Sequence, residues 1–184
     1  MSVKNFVASL KLRQLRKNME PQDFVFPDAV QHPKHILVCL PGGLRELTLV
    51  KQFLPTITEL FKPADIVLLS MPGIKVTDIF PRKGFQILSP SSDHLSWSGL
   101  AKNTFIDKLK DLKFDVVLDL NLQSSSFTSS ILLNFPEALR IGRGNHRGNP
   151  YYNVEIKTKY LRDERNIYRS ILDTISIMKN QQVA

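Results

Sequence analysis

Three short stretches concentrate the residues that could do chemistry. In "LPGGLRE", residues 40 to 46, Pro41-Gly42-Gly43 follow an apolar run, and Arg45 and Glu46 open a periodic segment. Glycine amides beside a helix N-terminus offer N–H groups and the positive end of a dipole to an anion. Glu46 there has two readings: a first-turn acid that complements the helix dipole, or a general base aimed at a ligand hydroxyl. The stretch is neither of the common nucleotide cradles, because it lacks G-x-G-x-x-G and the Lys and Ser/Thr of a P-loop.

The second stretch, "DLNLQSSSFTSS", offers Asp119, Asn121 and Gln123 with a run of hydroxyl side chains. These groups suit hydrogen bonding to sugar hydroxyls, and Ser124 or Ser125 equally suits an ordinary helix N-cap. The third, "RIGRGNHRGN", sets Arg140, Arg143, His146 and Arg147 among glycines. Guanidinium forks match phosphate and carboxylate, so the loop reads as an anion clamp, or else as a solvated surface loop. His94 in "SSDHLSW" reads as a surface-loop residue rather than a catalyst. No His, Cys, Asp or Glu set has metal-ligand spacing and no G-x-S-x-G elbow is present, so no metal is expected.

Chemistry at these three loops requires elements that hold them together. Apolar runs at 35–40, 65–71, 85–89, 115–120 and 138–142 predict strands, with an extended segment at 151–158. Periodic segments at 46–61, 99–112, 125–134 and 162–179 predict helices; in the last, Tyr168, Ile171, Leu172, Ile175 and Met178 form the stripe. Strands that alternate with helices, and are apolar throughout, make an α/β fold: a single doubly wound, mostly parallel, Rossmann-like sheet. In such sheets ligands bind beyond the strand carboxyl ends, where all three stretches lie.

The domain is expected over 35–180. Before it, Val3, Phe6, Val7 and Leu10 fall at i, i+3, i+4 and i+7, which predicts an extra N-terminal amphipathic helix over 1–20 with that stripe as its apolar face. Residues 21–34, with Pro21, Pro27 and Pro33, read as an extended connector. The helix is basic, carrying Lys4, Lys11, Arg13, Arg16 and Lys17 against Glu20, so it either packs on the domain or lies on an anionic membrane surface.

With 184 residues, 42% of them hydrophobic and 23% charged, the chain has the length and composition of one globular domain. Its net charge of +8 favours phosphate-bearing partners. Nucleic acid ranks last among these, since no recognition motif or basic-aromatic interleaving supports it. The single cysteine, Cys39, lies in an apolar run and reads as a buried small hydrophobe. No leader-like segment and no apolar stretch of membrane-spanning length occurs, so a cytoplasmic protein is expected, peripheral at the inner face of the membrane if the basic helix docks there.

Taken in order, "ILVCLPGGLRELTLVKQFLPTITELF", "DIVLLS", "KFDVVLDLNLQSSSFTSSILL", "ALRIGRGN" and "KYLRDERNIYRSIL" resemble the N-terminal half of the family 9 glycosyltransferases, the ADP-heptose:lipopolysaccharide heptosyltransferases. The resemblance implies the GT-B architecture, whose N-terminal half receives a lipid-linked acceptor sugar and whose C-terminal half binds the nucleotide-sugar donor. It implies inverting, metal-independent transfer without a cofactor. Where the family reads approximately Ser-Leu-Gly-Asp, this chain has Gly43-Leu44-Arg45-Glu46. Glu46 thus takes the place of the base, and Arg45 that of a glycine, where a cation beside the base favours its ionised, less basic form.

Gly42, Gly43, Arg45, Asp119, Asn121, Gln123, Arg143, His146 and Arg147 would then meet a glycolipid or phosphorylated sugar acceptor. The chain ends at Ala184, after the helix that leads into the donor half in that family. A donor such as ADP-heptose would therefore need a site from a second domain or a separate donor-binding chain. The alternative is a non-catalytic binding or scaffold module of glycosyltransferase ancestry.

Overall fold

The predicted apolar runs form strands that pair parallel in one sheet in the computed structural model, which describes residues 3–20, 22–25, 28–80, 84–143 and 151–180. The strands are β1 (His35–Cys39), β2 (Asp65–Leu69), β3 (Gln86–Leu88), β4 (Val116–Asp119), β5 (Leu139–Arg143) and β6 (Val154–Ile156). Their order is β3-β2-β1-β4-β5-β6. The order in which successive strands are added reverses between β1 and β4, so the switch-point crevice opens beyond their carboxyl ends. The register sets Cys39 beside Asp119, and Asp119 beside Gly142, on one face.

The helices are α1 (Val3–Lys17), α2 (Asp28–Gln31), α3 (Leu44–Phe61), α4 (Asn103–Lys110), α5 (Ser126–Leu133) and α6 (Glu164–Asn180). Leu47, Val50, Leu54, Ile57 and Phe61 of α3, with Ile167, Ile171, Leu172 and Ile175 of α6, bury one sheet face. Phe105, Ile106 and Leu109 of α4, with Phe127, Ile131 and Leu132 of α5, bury the other against Leu37, Val67 and Val117. Each such side chain removed from water contributes about 2 kcal/mol, which is why β1, β2 and β4 are apolar at successive positions.

Three local departures from expectation have physical causes. The connector is not extended throughout: Asp28–Gln31 forms one helical turn because Val30 is fully buried and the Gln31 amide donates to the Lys179 carbonyl at 3.0 Å. Helix α4 starts at Asn103 rather than 99, since Gly99 sits at φ +83° and Leu95 bridges Ala101, both incompatible with a helix. Helix α1 packs with the opposite face to the predicted one. Ala8 and Leu12, with Leu15, meet Leu100 and Leu133, while Val3, Phe6 and Leu10 stay exposed. The segment carries two apolar stripes, and the small Ala8 belongs to the one that fits against α5. No helix among the described residues is long and apolar enough to cross a membrane.

Candidate functional site

The carboxyl end of β1 leads through Leu40, Pro41 and Gly42 to Gly43, the residue capping α3. The first helical hydrogen bond runs from Leu47 N–H to Gly43 C=O, so the amides of Leu44, Arg45 and Glu46 precede the intrahelical ladder. The half-buried Glu46 turns back, and its Oε2 accepts from Gly43 N–H at 3.3 Å. A Cβ on Gly43 would lie 2.9 Å from that oxygen, so glycine leaves the carboxylate room to reach the turn. Neither Gly42 nor Gly43 has a positive φ; their contribution is open space, not unusual backbone geometry.

Burial pushes the Glu46 carboxyl above the usual carboxylate range; the Gly43 N–H opposes the shift and the charge of Glu164 adds to it. A raised carboxylate pKa is what a general base near neutrality needs. The expectation that Arg45 would make this base more acidic is not met. Arg45 turns away, its Nε 2.9 Å from Glu164 Oε2 at the start of α6. Asp163 caps that helix, accepting from the Asn166 amide at 3.1 Å. The starts of α3 and α6 thus stand side by side, further joined by Arg165 donating to Gln52 at 2.7 Å. Between them lies an open groove of about 770 Å³ lined by Leu44, Arg45, Thr48, Leu49, Asp163 and Arg165.

Tyr168 is the buried centre of this side, and its hydroxyl donates to the Leu120 carbonyl at 3.1 Å. Burial raises its phenol pKa, and the carboxylates of Glu46, Glu164 and Asp119 push the same way against Arg143. Arg143, at the end of β5, is half-buried with its guanidinium 3.5 Å from the Tyr160 carbonyl. Sequence reading assigned Tyr168 only to the packing stripe of its helix and passed over Glu164, whose signal was an acid in a first helical turn.

Asp119 and Asn121, expected at the acceptor, are buried across the sheet from this groove. Asp119 Oδ1 accepts from the Asn121 backbone and side-chain amides at 3.0 and 2.7 Å, and Oδ2 accepts from the Tyr152 hydroxyl at 2.6 Å. The Tyr152 ring reaches it across Gly142, where a Cβ would lie 2.2 Å from the ring. Ser125 is the N-cap of α5, accepting from Thr128 N–H at 3.2 Å, while Gln123 is exposed at the rim.

Arg140 is not in the clamp: it is buried beneath the sheet, its Nε donating to Asn153 Oδ1 at 3.0 Å, and burial pushes its guanidinium down to about 10 against the charge of Glu137. His146 and Arg147 lie outside the described residues. His94 sits in a short 3-10 turn, where its Nδ1 accepts from Ser91 N–H at 3.0 Å and its ring packs on Phe105. Among the described residues no group of three or more His, Cys, Asp or Glu is arranged to hold a metal ion.

The fold has a counterpart among solved structures. The crystal structure of the glycosyl transferase family 9 from Veillonella parvula DSM 2008 matches with a TM-score of 0.58 at 16% sequence identity. The match covers 83% of this chain and 44% of that one, so this chain spans less than half the length of its structural counterpart. At that identity the likeness is one of fold: a parallel Rossmann-like sheet flanked by helices. No protein-family model and no curated protein matches the chain.

Proposed function

We propose that this chain is the acceptor-side domain of a heptosyltransferase-like, inverting glycosyltransferase of envelope glycan or lipopolysaccharide synthesis. The observation that carries the reading is Glu46: a half-buried carboxylate with a raised pKa at the switch point of a sheet whose fold matches a family 9 glycosyltransferase. In the mechanism, Glu46 removes the proton from an acceptor hydroxyl as the oxygen attacks the anomeric carbon of the donor sugar and the nucleotide diphosphate leaves. Arg143, with His146 and Arg147, holds acceptor phosphate or carboxylate, and Gln123 hydrogen-bonds sugar hydroxyls at the rim. The nucleotide sugar, ADP-heptose or a relative, is held by a second domain or a separate chain.

The test supplies that donor half with ADP-heptose and a phosphorylated glycolipid acceptor, and follows sugar transfer by mass spectrometry. Glu46→Gln is expected to lower turnover by about 100-fold or more, in keeping with general-base catalysis. Unchanged turnover removes Glu46 from the mechanism. The Arg45–Glu164 ion pair, which spans the groove between α3 and α6, favours a second reading: a scaffold module of the same ancestry that binds without transferring. Acceptor binding that raises the melting temperature, with no transfer from any donor half, selects that reading.

A further inference from the structure

We propose that α1 docks the protein onto an anionic lipid bilayer through the face turned away from the domain. With 3.6 residues per turn, Ala8, Leu12 and Leu15 fall on one side of the helix, and Val3, Phe6, Val7 and Leu10 on the side opposite. The first set is used internally, against Leu100 and Leu133. The second faces water: Val3 is 74% exposed, Phe6 54% and Leu10 49%. A helix with two apolar faces, only one of them buried by its own fold, has a surface left for something else.

Charge identifies that partner. No acidic residue occurs from Val3 to Lys17, while Lys4 and Lys11 flank the outward stripe on one side and Arg13 on the other, and Lys17 lies in line with it about two turns beyond Leu10. Arg16 is turned inward over the Tyr151 ring. A second copy of the chain would bring two such cationic borders together. An anionic bilayer instead takes the stripe into the acyl boundary while the flanking cations reach lipid phosphates at the headgroup level. The loop carrying Trp97, 61% exposed, adjoins the same end of the helix, since a Cβ on Gly99 would lie 3.4 Å from Lys4 Cε. An indole there suits the membrane–water interface. This surface is separate from the crevice, so its success or failure is independent of the glycosyltransferase reading.

The test is co-sedimentation of the full chain with vesicles of phosphatidylcholine alone or mixed with phosphatidylglycerol, at low and high salt. Binding is expected to the mixed vesicles and to weaken with salt. Phe6→Glu with Leu10→Glu should lower it about tenfold or more. Reversing Lys11 and Lys17 to Glu should lower it by about fivefold or more for each residue. All four side chains are exposed, so circular dichroism and the melting temperature should be unchanged and a loss of binding cannot be a loss of fold. Equal binding to both vesicle types, or full binding by the Phe6/Leu10 variant, overturns the proposal. So does a concentration-dependent dimer, abolished by that variant, in a chain that ignores vesicles.

Discussion

The two sides of the sheet's carboxyl edge use polar residues for opposite ends. On the α4/α5 side, Asp119, Asn121, Thr128 and Tyr152 form a buried network in which the carboxylate accepts three hydrogen bonds from Asn121 and Tyr152. On the α3/α6 side, Arg45 lines an open groove and is paired with Glu164, while among the described residues Glu46 accepts a single long hydrogen bond and Arg143 makes one marginal contact. A satisfied buried network rigidifies its surroundings. A carboxylate left with spare capacity and a raised pKa is available to a ligand. The comparison therefore sets a side whose polar groups satisfy one another against a side whose carboxylate keeps hydrogen-bonding capacity to spare.

The largest expected effect comes from the structural side. Asp119→Ala should cost about 3 kcal/mol in urea unfolding, because it strips the buried Asn121 amide and Tyr152 hydroxyl of their acceptor. A cost under about 1 kcal/mol would erase the contrast between the two sides. Next, Gly142→Ala should cost about 2 kcal/mol, since the added methyl would occupy the Tyr152 ring's position and the strand holding it cannot yield freely. The same displacement draws the phenol from Asp119. Measured together, the two substitutions should therefore cost less than their sum.

The smallest effect has the opposite sign. Glu46 ionises less readily in the folded state than in the unfolded one, so its contribution to stability is full below the ordinary carboxylate pKa and is lost as pH rises through the raised value. Glu46→Gln removes that loss while keeping an oxygen for Gly43 N–H. Because the group is half-exposed and screened, the gain should be about 1–2 °C in melting temperature at neutral pH. It should disappear below about pH 3, where the carboxyl is protonated in the folded and unfolded states alike. A lower melting temperature for the variant at neutral pH would mean that Glu46 is a structural cap rather than a reactive group.

The strands and long helices were legible because both sheet faces are covered, which leaves an unbroken apolar signature in "ILVCL" and "VVLDL". The loops after β1 and β4 were legible for the same reason, as breaks between those runs. What sequence could not supply was direction. Asp119 and Arg143 both lie at strand ends, yet the side-chain alternation along β5, together with its register to β4, sends Asp119 into one layer and Arg143 towards the other. Arg140 looked like part of the anion loop until its inward position in β5 tied it to Asn153. In α1 the outward stripe had the stronger periodic pattern, and only the fit of Ala8 against α5 decided which face went inside.

The sheet also has a consequence for how molecules of this protein meet one another. Its two edges, β3 and β6, are three residues long, shorter than the four- and five-residue strands between them. An all-parallel sheet with long bare margins would offer a template on which neighbouring chains could add strands. Here each margin presents too few free backbone groups for a foreign strand to find a register, so at high concentration the folded sheet resists the edge-to-edge growth that ends in fibrils.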